Sequence, residues 1–125
     1  MTRRIVLDGI DPKMLLSINE QNRKGHWSRT AATRYWRPLL RAALGPTGTF
    51  SNYDRAQIDV RFRFPNNIVR DTGNLYPVAK ILVDALADWN VILADDDRHV
   101  VGPHLWRDWP NGPHRVTIEI REVQL

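Results

Sequence analysis

The chain has 125 residues, 42% of them hydrophobic, with 18 Lys and Arg against 14 Asp and Glu and a formal net charge of +4. That length fits one domain with a core of its own, needing neither disulfide nor structural metal, and the apolar fraction excludes a disordered chain. With no cysteine, thiolate metal sites, a cysteine nucleophile and a disulfide framework are excluded; no apolar run reaches the length of a bilayer span, and the start Met-Thr-Arg-Arg-Ile-Val-Leu-Asp does not read as a signal peptide.

Arg3 to Ile10 reads as a short strand with Ile5 and Leu7 on one face, ended by Asp11-Pro12. Leu16 to Trp27 is polar and cationic without a clear period and reads as a loop. Arg23, Lys24 and His26 cluster there beside Trp27, a grouping that suits a nucleic-acid backbone with an exposed base. The competing reading is a solvated loop whose Trp27 plugs into the core. Ser28 is the expected N-cap of a helix running to Leu44, with Ala32, Trp36, Leu39, Leu40 and Ala43 facing the core. Arg34, Arg37 and Arg41 fall together on another face, either a phosphate track or an ordinary solvated stripe. Pro38 is expected to kink or split this helix, and Gly45-Pro46 to stop it.

Thr47 to Arg55 is a turn-rich connection. Ala56 to Phe64 is the clearest strand, with Ile58, Val60, Phe62 and Phe64 alternating with Gln57, Asp59, Arg61 and Arg63. Ile68 to Gly73 reads as a loop and Asn74 as the cap of the next helix, with Pro77 tolerated in its first turn. From Leu75 to Trp89 the stripe Leu75, Val78, Ala79, Leu82, Leu86 and Trp89 recurs at helical spacing. Lys80 and Asp84 lie four residues apart on its other side. Val91 to Leu93 is a short strand candidate leading into Asp95-Asp96-Asp97. His99 to Val101 and Leu105-Trp106 are further extended pieces, and Arg115 to Val123 closes the chain as a strand. These elements predict a small single α+β domain over 1–125, a mixed β-sheet with two main helices packed on it, in the order β-α-β-α-β-β.

Arginine far outnumbers lysine, and its planar fork suits phosphate oxygens. Against this basic background stand two acidic stations, Asp71 before a helix and the triple aspartate after it, with Lys80 between. Mg²⁺ prefers carboxylate oxygen and keeps some of its waters. A nuclease that uses it gathers carboxylates around a point where the metal polarises a phosphate and activates water, and a lysine steadies the developing charge. A helix of fifteen residues spans about 22 Å, so the return segment must run back for the stations to meet. Each group also has an ordinary role: Asp71 as a turn or cap, Lys80 as partner of Asp84, the three aspartates as a solvated turn. The four histidines lack zinc-ligand spacing.

The stretch Arg70-Asp71-Thr72-Gly73-Asn74-Leu75, then Lys80, Asp84-Ala85-Leu86 and Asp96-Asp97-Arg98-His99-Val100, resembles the RusA family of Holliday junction resolvases. The family pattern is an aspartate, a second aspartate two residues on, then Asn-Leu, a helix with a lysine and Asp-x-Leu, and an Asp-Asp turn followed by valine. The resemblance is densest from Arg70 to Val101 and extends weakly to Asn19–Trp27. It implies a RusA-like fold and a Mg²⁺-dependent endodeoxyribonuclease (Mn²⁺ as a substitute). Such an enzyme nicks four-way and other branched DNA symmetrically as a homodimer, in the cytoplasm of a bacterial cell or phage-infected host and not at a membrane. Residue by residue, it implies Asp71, Lys80 and Asp97 as catalytic and Asp71, Asp97 and Asp96 as metal ligands. Asn19, Arg23, Lys24, His26, Arg34, Arg37, Arg41, Arg70 and Asn74 are then expected on the DNA. Gly73 stands where the family has its second aspartate, and Lys80 sits three residues further along than the family lysine. The alternative is a non-catalytic basic nucleic-acid-binding module with a degenerate metal site.

Overall fold

The strict alternation at residues 56–63 makes the centre of the sheet. In strand β2 (Ala56–Arg63), Ala56, Ile58, Val60 and Phe62 are buried, while Gln57, Asp59, Arg61 and Arg63 occupy the opposite face. A computed structural model describes residues 2–24, 26–46 and 53–124, with the side chains of residues 24 and 26–28 outside the described set. The expectations for Lys24, His26 and Trp27 rest on those side chains, and most of the 47–55 connection also lies outside the described residues; Ser28 is not the expected N-cap, because the helix already begins at His26.

Four strands form one mixed sheet in the order β1-β4-β2-β3. β1 (Thr2–Asp8) and β2 both pair antiparallel with β4 (Arg115–Glu122), and β2 pairs in parallel with β3 (Val100–Asp108). A parallel pair needs a crossover, and the helix α3 (Tyr76–Asp88) lies in it. Helix α2 (His26–Leu44) packs beside α3. Trp36 and Leu40 of α2 and Val78, Leu82 and Leu86 of α3 share one core with Ile5, Leu7, Ile58, Val60, Phe62, Val116, Ile118 and Ile120. The expected architecture, an α+β domain with a mixed sheet and two helices packed on it, is therefore present. No described helix is long and apolar enough to cross a membrane.

Several local expectations change. The polar stretch from Leu16 is not a loop but carries a short helix, α1 (Ile18–Lys24). Ser17 caps it: the Glu20 amide donates to Ser17 Oγ at 3.1 Å, and that hydroxyl donates to Glu20 Oε1 at 3.2 Å. Pro38 neither splits nor ends α2; it lies on the exposed side, where water can satisfy the freed carbonyl. Asn74 does not cap α3. It belongs to a single 3₁₀ turn, Thr72–Leu75, with Asp71 as that turn's cap residue. The Val91–Leu93 candidate reduces to one bridge between Ile92 and Tyr53. The two extended pieces at 99–101 and 105–106 are one strand, β3.

Gly102 shapes that strand. Its φ is +107°, and a Cβ there would stand 2.7 Å from the Ile58 carbonyl oxygen, so only glycine fits. The register slips at the same place: Gln57 faces Val101, but Asp59 faces His104. This bulge sets His104 and Trp106 beside Asp59 and Arg61 on the outer face of the sheet.

Candidate functional site

α3 is buried nearly all round. Pro77, Val78, Ala79, Ile81, Leu82, Val83, Ala85 and Leu86 are all in the core. What remains is a narrow line of Tyr76, Lys80, Asp84 and Asp88, each four residues from the next and so stacked one turn apart. The sequence stripe fixed the apolar side; the closeness of the surrounding elements makes the polar line the helix's single outlet.

Asp95 reaches this line from the turn after α3. Lys80 donates from Nζ to Asp95 Oδ2 and stands 3.0 Å from Asp84 Oδ1, so the two carboxyls meet at one ammonium. Arg29 of α2 approaches Asp84 Oδ2 at 3.6 Å. Two carboxyls this close titrate as a pair. Burial raises the pKa of Asp84, and its contact with Asp95 raises it further. The hydrogen bond from Asp84, followed by that from Lys80, lowers the pKa of Asp95. The two carboxyls are thus shifted in opposite directions, Asp84 toward the protonated form and Asp95 toward the ionised one. Lys80 is raised above its ordinary value, first by its hydrogen bond to Asp95, against partial desolvation.

The other two aspartates of the triplet behave differently. Asp96 Oδ1 accepts from the Arg98 amide at 2.9 Å and contacts His99 Nδ1 at 2.7 Å. The His99 contact is the main reason its pKa is lowered. One oxygen of this expected ligand thus holds its own turn together. Asp97 is exposed and has no hydrogen-bond or ion-pair partner among the described residues. Asp95, rather than the expected Asp97, is the member of the triplet that meets Lys80.

Asp71 is exposed, and its side chain caps nothing. Its carbonyl accepts from the Asn74 amide at 3.0 Å. With Asn74, Arg70, Glu20 and His114 it lines a cleft of about 290 Å³. His114 is lowered by burial and then by the nearby Arg70 charge, which favours the neutral ring. Among the described residues no three Asp, Glu or His side chains converge on one point. Asp71, Asp96 and Asp97 are therefore not gathered into a ready cage. What the fold does assemble is an all-oxygen pair, Asp84 with Asp95. A hard ion such as Mg²⁺ is commonly held by one or two carboxylates plus phosphate oxygens, so this pair fits that minimum.

The expected DNA-contacting residues also divide. Arg37 pairs with Asp88 at 2.8 Å, and its guanidinium stands 5.0 Å from the Trp89 ring centroid; that of Arg41 stands 5.6 Å away. These two fasten α2 to the end of α3 and do not form an open track with Arg34. Arg34 is exposed and lines a shallow groove of about 340 Å³ with Arg29, Thr30 and Thr33. Arg70 lies over Phe64 at 4.1 Å and donates to Asn66 Oδ1 at 3.0 Å. Asn19 and Arg23 are exposed on α1.

Sequence reasoning passed over three participants. Asp84 was legible as an i,i+4 partner of Lys80 and as the Asp-x-Leu piece of the resemblance but given no site role, and Asp95 only as one of three equals. Arg29 carried no signal, because its role depends on how α2 crosses α3. Compared with models of known protein families the chain matches none, and no curated protein matches it.

Proposed function

We propose that this chain is a Mg²⁺-dependent endodeoxyribonuclease acting on branched DNA, of the RusA type that its motifs resemble, and working as a homodimer. The observation that carries the reading is the Asp84–Asp95 pair beside Lys80, the polar outlet of an otherwise buried helix in a chain of net charge +4. A bound Mg²⁺ would supply Lewis-acid polarisation of the phosphate and a more acidic water. Asp95 and Asp84 are the residues that would hold it. Both carboxyls would be ionised with the cation bound, since a second positive charge lowers the pKa of each. Lys80, beside them, would meet the phosphate's negative charge. Asp71, in the loop before α3, would be the carboxylate left to orient water. Arg29, which reaches Asp84, and Arg34, which lines a groove with it, would neutralise the backbone.

Gly73 favours a second reading, a nucleic-acid-binding module without catalysis, because it leaves Asp71 without the neighbour that the RusA pattern provides. One assay separates the two. A labelled four-way junction is incubated with the protein in Mg²⁺ or in EDTA, beside duplex and single-strand controls. The endonuclease reading expects paired nicks in Mg²⁺ alone, lost in Asp71→Asn while junction binding persists. Binding without product at any Mg²⁺ or Mn²⁺ concentration leaves the binding module.

A further inference from the structure

A groove of about 550 Å³ runs beside the edge strand β3, lined by Gly73, Tyr76, Pro103, His104, Leu105 and Trp106. Tyr76 and Trp106 are 42% and 47% exposed, a high value for rings that a core would otherwise take. The Trp106 ring is held in place from behind. Its Nε1 donates to Asp59 Oδ1 at 2.8 Å, and the Arg61 guanidinium stands 5.7 Å from its centroid. The bulge at Gly102 sets this arrangement, because it brings Trp106 into register with Arg61. The groove also touches both parts of the candidate site. A Cβ on Gly73 would stand 3.3 Å from Asp71 Oδ1, so the Asp71 carboxyl stands beside the groove residue Gly73. Tyr76 is one turn before Lys80 on the same exposed line.

We propose that this groove stacks an unpaired nucleobase of the substrate, next to the phosphate that meets Lys80. The inference rests on the reading that the chain binds nucleic acid, and it adds that the bound strand is unpaired at that point. Two exposed aromatic side chains with a guanidinium against one of them form a stacking platform, and every base has a face to offer it. A base still paired in a duplex has both faces covered and cannot enter. An apolar peptide side chain would fill the same space, but would not bring the negative charge that a chain of net charge +4 attracts. The groove therefore selects substrates open at the scissile position: flaps, single strands and junctions whose central base pair has opened.

The test uses the full chain in EDTA, so that cleavage plays no part, with 2-aminopurine placed once in a single-stranded oligonucleotide or at the centre of a four-way junction. Binding of the wild type is expected to quench the probe. Tyr76→Ala and Trp106→Ala each remove the quench and weaken single-strand binding on the order of tenfold or more, with duplex affinity unchanged. Trp106→Phe and Tyr76→Phe keep most of both, which separates stacking from loss of fold. Unchanged quench and affinity in the two alanine variants overturn the proposal. So does a wild type that binds without quenching. A dimer that Trp106→Ala converts to monomer, at unchanged quench, gives the groove to a second copy of the chain and also overturns it. A junction that quenches but is never cut in Mg²⁺ defeats the endonuclease reading alone and leaves the groove's role standing.

Discussion

The two acidic stations have the same chemistry in their residues and opposite circumstances in the fold. At the first, Asp71 stands in a loop, exposed, with no side-chain partner among the described residues. At the second, Asp95 is tied to Lys80, which also stands against Asp84. The difference teaches that a carboxylate's task follows from what surrounds it and not from its place in a run of acids. Asp95, Asp96 and Asp97 are consecutive, yet one meets the helix, one braces its own turn and one faces solvent.

The largest effects should appear in cleavage. Asp95→Asn is expected to lower Mg²⁺-dependent junction cleavage about a hundredfold or more, with binding retained, whereas Asp97→Asn stays within about tenfold. Rates measured on one labelled junction decide this, and the reverse order would move the second station to Asp97. Next comes the strand that carries the groove wall. Gly102→Ala must take φ = +107° with its Cβ against the Ile58 carbonyl, and should cost roughly 2 kcal/mol or more in urea unfolding. A smaller loss means that β3 can re-register around the bulge.

Gly73→Asp sharpens the first station. Its Cβ would meet only the flexible end of Asp71, at 3.3 Å, so the variant should fold and set a second carboxylate beside the first. Mn²⁺ affinity, read by calorimetry, is expected to tighten about tenfold; no change would remove Asp71 from the metal's surroundings. The smallest effect is the pH dependence of stability. The lowered pKa of Asp95 gives a stabilisation that is present above the unfolded carboxyl value, ~4, and is lost as pH falls through its folded value. The raised pKa of Asp84 acts in the opposite sense: stability drops as pH rises from ~4 through its folded value. The raised pKa of Lys80 gives a contribution present at neutral pH and lost above ~10.4. Asp84→Asn should therefore remove the loss above pH 4 and leave the alkaline limb in place, as thermal unfolding across pH would reveal.

The alternation at 56–63 and the apolar stripes of α2 and α3 were legible because each follows the period of its own element, and burial rewards that period locally. The short helix α1 was missed although Ser17 and Glu20 carry the capping-box spacing that announces it. Its polar surface offered no period to read. Arg37 and Arg41 looked like a track because helix geometry puts them on one face, but Trp89 lies against that face.

The sequence by itself determined the first, central and last strands and the two long helices, the net positive charge, and the presence of acids before and after a helix that carries Lys80. Only the tertiary structure decided that Asp95 is the acid facing Lys80, that Asp84 joins it, and that Tyr76 and Trp106 share a groove. The reason is physical: periodicity is set by neighbours along the chain. Which carboxyl meets which amine is set by where separate elements cross.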